Sequence, residues 1–220
     1  MPRPLAAAAA ALAVCTLGGV AGAQVIYTQN FEAGSAWPEW SVNQTTQSPT
    51  FTRFLGRFLG ERATLGVELP PLPEGDGIAG PPEAASYLLE FSFYCIDSWD
   101  GSDANNGPDR FHVFINNEPI FSETFANQHQ EQSYREPDVG RSHMGFHDSW
   151  FDSIYHIALP FVAPAGNVNI GFQATGLLTM SDESWGIDNV RVSVIPAPGV
   201  AGVALVGLGA FGGRKRRRER

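Results

Sequence analysis

Cysteine is nearly missing from this 220-residue sequence, which contains only Cys15 and Cys95. Cys15 falls in a leader segment described below, so a processed chain keeps Cys95 alone and can close no internal disulfide. Stability then has to come from packing or from a metal. Cys95 ends the run Phe91-Ser92-Phe93-Tyr94-Cys95. That setting suits a small core residue, whereas a reactive thiol needs exposed, electropositive surroundings. Lysine is absent from residues 24 to 198, where seven arginines against 22 carboxylates leave a net charge of −15. A domain so acidic repels nucleic acid and anionic lipid and suits divalent cations. Runs of Leu, Glu and Lys at helical spacing are also scarce. With 15 Phe, 24 Gly and 16 Pro, the composition favours strands and turns.

Catalytic signatures are missing too. The Glu-x-Asp-x-x-Glu spacing, which would set an acid and a nucleophile on one side of a strand, does not occur. Neither does a Gly-x-Ser-x-Gly elbow, a His-Glu-x-x-His zinc pair or a phosphate-cradling glycine loop. The expectation is a non-catalytic binding module. The alternatives are a secreted glycoside hydrolase with an unfamiliar carboxylate pair and a purely structural surface protein.

The two ends read as addresses. Arg3 precedes the apolar run Leu5 to Val14, and Ala21-Gly22-Ala23 supplies the small-x-small pattern before Gln24, so residues 1–23 are expected to be a removable signal peptide. Leu12-Ala13-Val14-Cys15 fails as a lipidation box because Val14 is bulkier than the small residue that chemistry expects. At the other end Pro196-Ala197-Pro198 leads into an apolar run from Gly199 to Gly213 and then Arg214-Lys215-Arg216-Arg217-Arg218. As a helix that run spans about 22 Å, short of a hydrocarbon core of about 30 Å, which makes a marginal anchor held by snorkelling arginines. The basic cluster would stay cytoplasmic and leave the acidic domain outside.

This order of Pro motif, apolar helix and arginine cluster resembles the PEP-CTERM sorting signals processed by exosortases. Ala197 stands where that family usually has Glu. The resemblance implies an exosortase-type sorting enzyme as partner, a transient anchor in the inner membrane, and a final location at the cell surface or in the extracellular matrix. It divides the chain into a signal peptide (1–23), a domain (24–195) and a sorting signal (196–220).

Between the ends, apolar and polar residues alternate in short blocks. Leu89, Phe91, Phe93 and Cys95 share one face while Glu90, Ser92 and Tyr94 take the other. The same period of two runs through Phe111, Val113 and Ile115, through Tyr155, Ile157, Leu159 and Phe161, through Val168, Ile170 and Phe172, and through Val190, Val192 and Val194. Further strands are expected over residues 25–31, 50–59, 63–69 and 119–125. About nine strands predict an all-β, two-sheet antiparallel sandwich, a jelly roll. Asn116-Asn117 predicts a tight hairpin turn. Residues 68–85 and 127–152 are expected to be loops.

Ile96-Asp97-Ser98-Trp99-Asp100-Gly101 and Asp182-Glu183-Ser184-Trp185-Gly186-Ile187-Asp188-Asn189-Val190 look like stretches of a domain common among secreted PEP-CTERM proteins. Phe31-Glu32 followed by a terminal Ile-Asp strand also resembles lectin-like and MAM-like jelly rolls. Both resemblances imply fold and compartment.

Three sets of residues are candidates for function. Trp99, Trp150 and Trp185 lie in or beside expected loops, where they either stack on sugar rings or plug the ends of the sandwich. His129, His143, His147 and His156 with Asp148 and Asp152 carry transition-metal donors, although histidines this scattered more often face solvent. Strand parity turns Asp97, Asp109 and Asp188 coreward at strand ends, and Asp100 sits in the loop between the first two. A buried carboxylate needs a cation or several donors, and calcium takes six to eight oxygens. The alternative for each Asp is a turn cap or a pair with Arg110 or Arg191. Glu32 and Glu183 join the calcium candidates partly through the MAM-like resemblance.

Overall fold

The computed structural model describes residues 23–34, 37–48, 50–71, 84–128 and 130–195. The expected sorting signal, and the expected signal peptide but for its last residue, lie outside the described residues. So do His129 and most of the expected loop at 68–85.

The described chain is all-β. Eleven strands form: β1 Val25–Gln29, β2 Thr45–Thr46, β3 Phe54–Phe58, β4 Arg62–Leu69, β5 Ala85–Asp97, β6 Arg110–Ile115, β7 Glu118–Thr124, β8 Val139–Ser142, β9 Asp152–Ala163, β10 Gly166–Thr175 and β11 Glu183–Val194. They build two antiparallel sheets in a jelly-roll sandwich. One sheet runs β2-β3-β11-β5-β9-β8, with β1 also pairing to β11, and the other runs β4-β10-β6-β7. The expected strands all appear, joined by β2 and β8. β2 is two residues long and β8 is exposed along its whole length, so neither leaves an alternating apolar trace to read.

The core follows the expected alternation. Leu89, Phe91, Phe93 and Cys95 of β5 are buried against the other sheet. Phe93 stacks on Phe111 of β6 with ring centroids 4.1 Å apart, and Phe91 meets Phe172 of β10 edge-on at 5.2 Å. These rings pin one sheet to the other. Asn116 and Asn117 both take left-handed φ, 49° and 73°, the geometry of a two-residue hairpin turn between β6 and β7.

The far side of β5 departs from expectation. Tyr94, assigned to the polar face, is buried beneath a second apolar cluster with Phe51, Phe54, Ile96 and Met144. Tyr94 stacks on Phe51 at 4.6 Å. The segment ahead of β3 and the loop at 143–151 fold over this face, so it is only partly open to water.

Candidate metal centre

β5 ends at Asp97, and residues 98–109 carry the chain from the larger sheet to the smaller. Trp99 fastens the start of this crossing. Its side chain is fully buried and its Nε1–H donates to the Ser184 carbonyl at 2.8 Å. Gly101 then turns with φ 64°, where a Cβ would stand 2.3 Å from the Glu131 carbonyl oxygen. Asp103 caps the loop by accepting the N–H groups of Asn105 and Asn106 at 2.6 and 3.2 Å. The loop closes with the Asp109 N–H on the Gly101 carbonyl at 2.9 Å.

This path brings Asp100 back over Asp109, the residue just ahead of β6. The Asp100 N–H donates to Asp109 Oδ2 at 2.5 Å. Glu183, the first residue of β11, arrives from the larger sheet, with its Oε2 accepting the Leu178 N–H at 2.5 Å. Ligand atoms of Asp100, Asp109 and Glu183 lie within 4.8 Å of one another. Asp109 and Glu183 are fully buried, and Asp109 Oδ1 and Glu183 Oε1 have no hydrogen-bond partner. Gln130, in the loop after β7, donates from Nε2 to Asp100 Oδ1 at 2.6 Å, and its own Oε1 is also buried without a partner. Gly176, after β10, has φ 97°. A Cβ there would come within 2.2 Å of the Pro108 carbonyl oxygen and 3.0 Å of Asp109 Oδ1.

Charge cannot be comfortable here without compensation. Burial pushes the Asp109 carboxyl up to about 7; the Asp100 N–H works against this, and the Asp100 and Asp182 carboxylates add to it. Burial pushes Glu183 up to about 8, opposed by the Leu178 N–H and reinforced by Asp109 and Asp182. Asp100 is raised by burial and by Asp103, against the Gln130 amide. Three crowded carboxylates, two of them with bare oxygens and none of them ion-paired with an arginine, form an oxygen-only cage that fits a hard cation of calcium's kind.

The other acidic candidates lie elsewhere, each for a local backbone reason. Asp97 pairs in register with Glu183, but its left-handed φ of 69° ends the alternation. Its carboxylate forms an ion pair with Arg57 instead, while its N–H donates to Asp152 Oδ1 at 3.0 Å. Asp188 does not share the coreward parity of Val190. The register shifts between Asp188 and Arg191, where three steps along β11 match two along β5, a bulge that lets Ile187 and Val190 both face the core. Asp188 is thereby turned to the outer side, where it accepts the Tyr94 hydroxyl at 3.1 Å. Glu32 is exposed and accepts the Arg53 N–H at 3.0 Å.

The tryptophans divide as well. Trp99 and Trp185 are fully buried, and Trp185 Nε1–H donates to the Leu59 carbonyl at 3.0 Å. Neither offers a ring face to a sugar. Trp150 is partly exposed and stacks on His147 at 6.1 Å. The described histidines do not converge: His143 bonds the Trp150 carbonyl at 2.8 Å, His147 accepts the Ser149 N–H at 3.0 Å, and His156 bonds Ser92 at 3.1 Å. Among the described residues Asp100, Asp109 and Glu183 are the only three acidic, histidine or cysteine side chains whose ligand atoms converge. Gln130 and Gly176 escaped sequence reasoning, since neither stands in a pattern that marks a ligand or a close approach.

No family model matches the chain, and no curated protein matches it. Solved structures do. Dimeric latent PorU from Porphyromonas gingivalis aligns over 81% of this chain at 13% identity and a TM-score of 0.42, with this chain spanning only 14% of PorU. A family 35 carbohydrate binding module from Clostridium thermocellum aligns over 76% of this chain and 95% of its own length, at 14% identity and a TM-score of 0.36. A family 36 module in complex with calcium and xylotriose aligns over 77% of this chain and 100% of its own, at 9% identity and a TM-score of 0.32.

Proposed function

We propose that this chain is an exported, non-catalytic β-sandwich module, stabilised by calcium, that recognises glycan at the cell surface or in the extracellular matrix. The observation that carries the proposal is the pair of fully buried, partnerless carboxylate oxygens, Asp109 Oδ1 and Glu183 Oε1, converging with Asp100. The donors are all oxygen, with no thiolate or imidazole among them. That chemistry favours calcium over zinc, and the remaining positions of a six- to eight-coordinate ion would fall to Asp100, Gln130 and water.

The same burial argues against hydrolysis. A carboxylate pair that cleaves a glycosidic bond must admit the sugar between its members, whereas Asp109 and Glu183 are closed to solvent. Glycan is the ligand class assigned because the domain's surface mixes amide and hydroxyl side chains with partly exposed rings such as Phe114, matching the hydroxyls and C–H faces of sugars. Export rests on the signal-like segment from Arg3 to Ala23. Sorting by an exosortase-type enzyme rests on the tail from Pro196 to Arg220.

Metal analysis of the purified protein together with a glycan array tests the reading. One retained calcium per chain and a defined glycan class are expected. A metal-free protein with unchanged folding would remove calcium, and an array at background would remove glycan.

A further inference from the structure

The outer face of the four-stranded sheet plays no part in the metal centre. Register lays Arg62 of β4, Gln173 of β10 and His112 of β6 side by side across three strands, with Gly171 and Phe114 in the next row. The side chains of Arg62, Gln173, His112 and Phe114 are partly exposed, outside the core alternation of their strands, while Gly171 is buried. The Arg62 guanidinium lies over Gly171 and against the Phe114 ring. It sits 3.9 Å from the centroid of the Phe114 ring and fills the space above Gly171, where a Cβ would stand 2.5 Å from Arg62 Nε. Any larger residue at Gly171 would expel it. A planar cation and an aromatic ring are thus held together on an open, sugar-sized platform, four strands and about 14 Å wide.

The charge of this face runs against that of the domain. Among the described residues Arg57, Arg135, Arg141 and Arg191 each pair with a carboxylate. Arg53, Arg62 and Arg110 do not; Arg53, ahead of β3, reaches Thr45 and Gln47, whereas Arg62 and Arg110 both belong to this face, where Arg110 reaches only the Ser122 carbonyl, at 3.4 Å. The carboxylate on the face of β4 is Glu68, six residues from Arg62, or about 20 Å along a strand. In a domain of net charge −15, two unpaired arginines beside a ring and an amide mark a place for an anion that also has an apolar face.

We propose that this sheet face binds an acidic glycan, a polysaccharide whose uronate carboxylates meet Arg62 and Arg110 while a pyranose C–H face packs on Phe114. Gln173 and His112 supply hydrogen bonds to its hydroxyls. The inference rests on the glycan reading above and adds to it a location and a charge class.

Affinity electrophoresis of the purified full-length protein tests it, in gels holding polygalacturonate, alginate, neutral xylan or polyglutamate. The expected result is retardation by the two uronate polymers at least tenfold stronger than by xylan, with polyglutamate inert. Phe114→Ala, Arg62→Gln and Gln173→Ala should each weaken uronate binding about tenfold. Arg191→Gln, which removes the same charge from the other sheet, should leave it unchanged. Gln173 is on the solvent side, so its variant keeps the test valid if either of the others fails to fold. Equal retardation by xylan or polyglutamate overturns the inference. So does wild-type binding by the face variants, or binding lost in Trp150→Ala while Phe114→Ala keeps it. Those outcomes leave the glycan reading standing, whereas retardation by no polysaccharide, here or on the array, overturns both.

Discussion

Asp109 and Glu183 stand at the starts of strands in different sheets, yet their carboxylate oxygens come within 4.8 Å of each other and of Asp100. The backbone ladders run within each sheet, and across the sandwich the strands meet through their side chains. A divalent cation shared by this pair would therefore act as a cross-tie at one end of the sandwich. Without it, the same pair is a point of repulsion.

The first prediction concerns calcium and heat. At calcium a hundredfold above its dissociation constant, binding to the folded state alone adds about 2.7 kcal/mol, a rise in Tm of about 5–10 °C for a domain this size. Melting in millimolar calcium against chelator measures it. Asp109→Asn and Glu183→Gln should erase the difference, mainly by raising the chelator curve, because each removes a buried charge. Asp188→Asn should shift both curves together, since Asp188 lies beside Tyr94 and apart from Asp100, Asp109 and Glu183. Superimposable wild-type curves would count against the site.

The second concerns pH. An unfolded chain gives up its carboxylate protons near pH 4, whereas folded Asp109 and Glu183 hold theirs up to about 7 and about 8. Between those limits the native state binds more protons than the unfolded one, so the contribution of these groups to stability falls as pH rises. Metal-free protein should accordingly melt at a lower temperature at pH 8 than at pH 5.5. Calcium displaces the protons, so its stabilising effect should grow across the same window. Melting curves at the two pH values, with and without calcium, check both signs; a calcium effect that shrinks toward pH 8 would be incompatible with these ligands.

Much of this was legible in the sequence, for identifiable reasons. The aromatic alternation of β5, β6, β9 and β10 is continuous, so it predicts which side chains meet in the core. Asp109 is separated from Phe111 by one residue of an unbroken strand, so its coreward direction could be read. Parity failed where the backbone does something alternation cannot express, at the left-handed Asp97 and at the bulge after Asp188. Both positions look like ordinary strand in the sequence. Trp99 and Trp185 border turns, and only the packing reveals that their rings are internal. Gln130 reaches Asp100 from a loop 30 positions away, a contact that no local pattern marks.

The third prediction concerns Gly176. Its φ of 97° and the closeness of Pro108 and Asp109 leave no room for a methyl group. Gly176→Ala should cost about 1–3 kcal/mol and weaken calcium affinity by displacing Asp109, as calorimetric titration would reveal. Gly60→Ala, at a position with open space around it, provides the comparison and should do neither.

The fourth concerns the Arg57 and Asp97 pair. Asp97 is almost fully buried, and Arg57 also donates to Ser184 Oγ at 2.7 Å and to the Met180 carbonyl at 2.9 Å. Arg57→Leu leaves a buried carboxylate uncompensated and should cost about 3–5 kcal/mol. Adding Asp97→Asn should recover part of that loss, a coupling that a double-mutant cycle in denaturant would measure. Strictly additive losses would mean the pair is not a unit.

One feature of the core also makes the molecule its own gauge. Cys95 carries the only thiol of the domain and is fully buried on β5, two residues before that strand gives way to the loop that delivers Asp100. Burial also holds the thiol well above its ordinary pKa, in its unreactive form. An alkylating reagent can therefore mark this domain only while the sandwich is open, and only once. Counting marked chains over time converts the rare excursions of this end of the fold into a rate, with no label added by design.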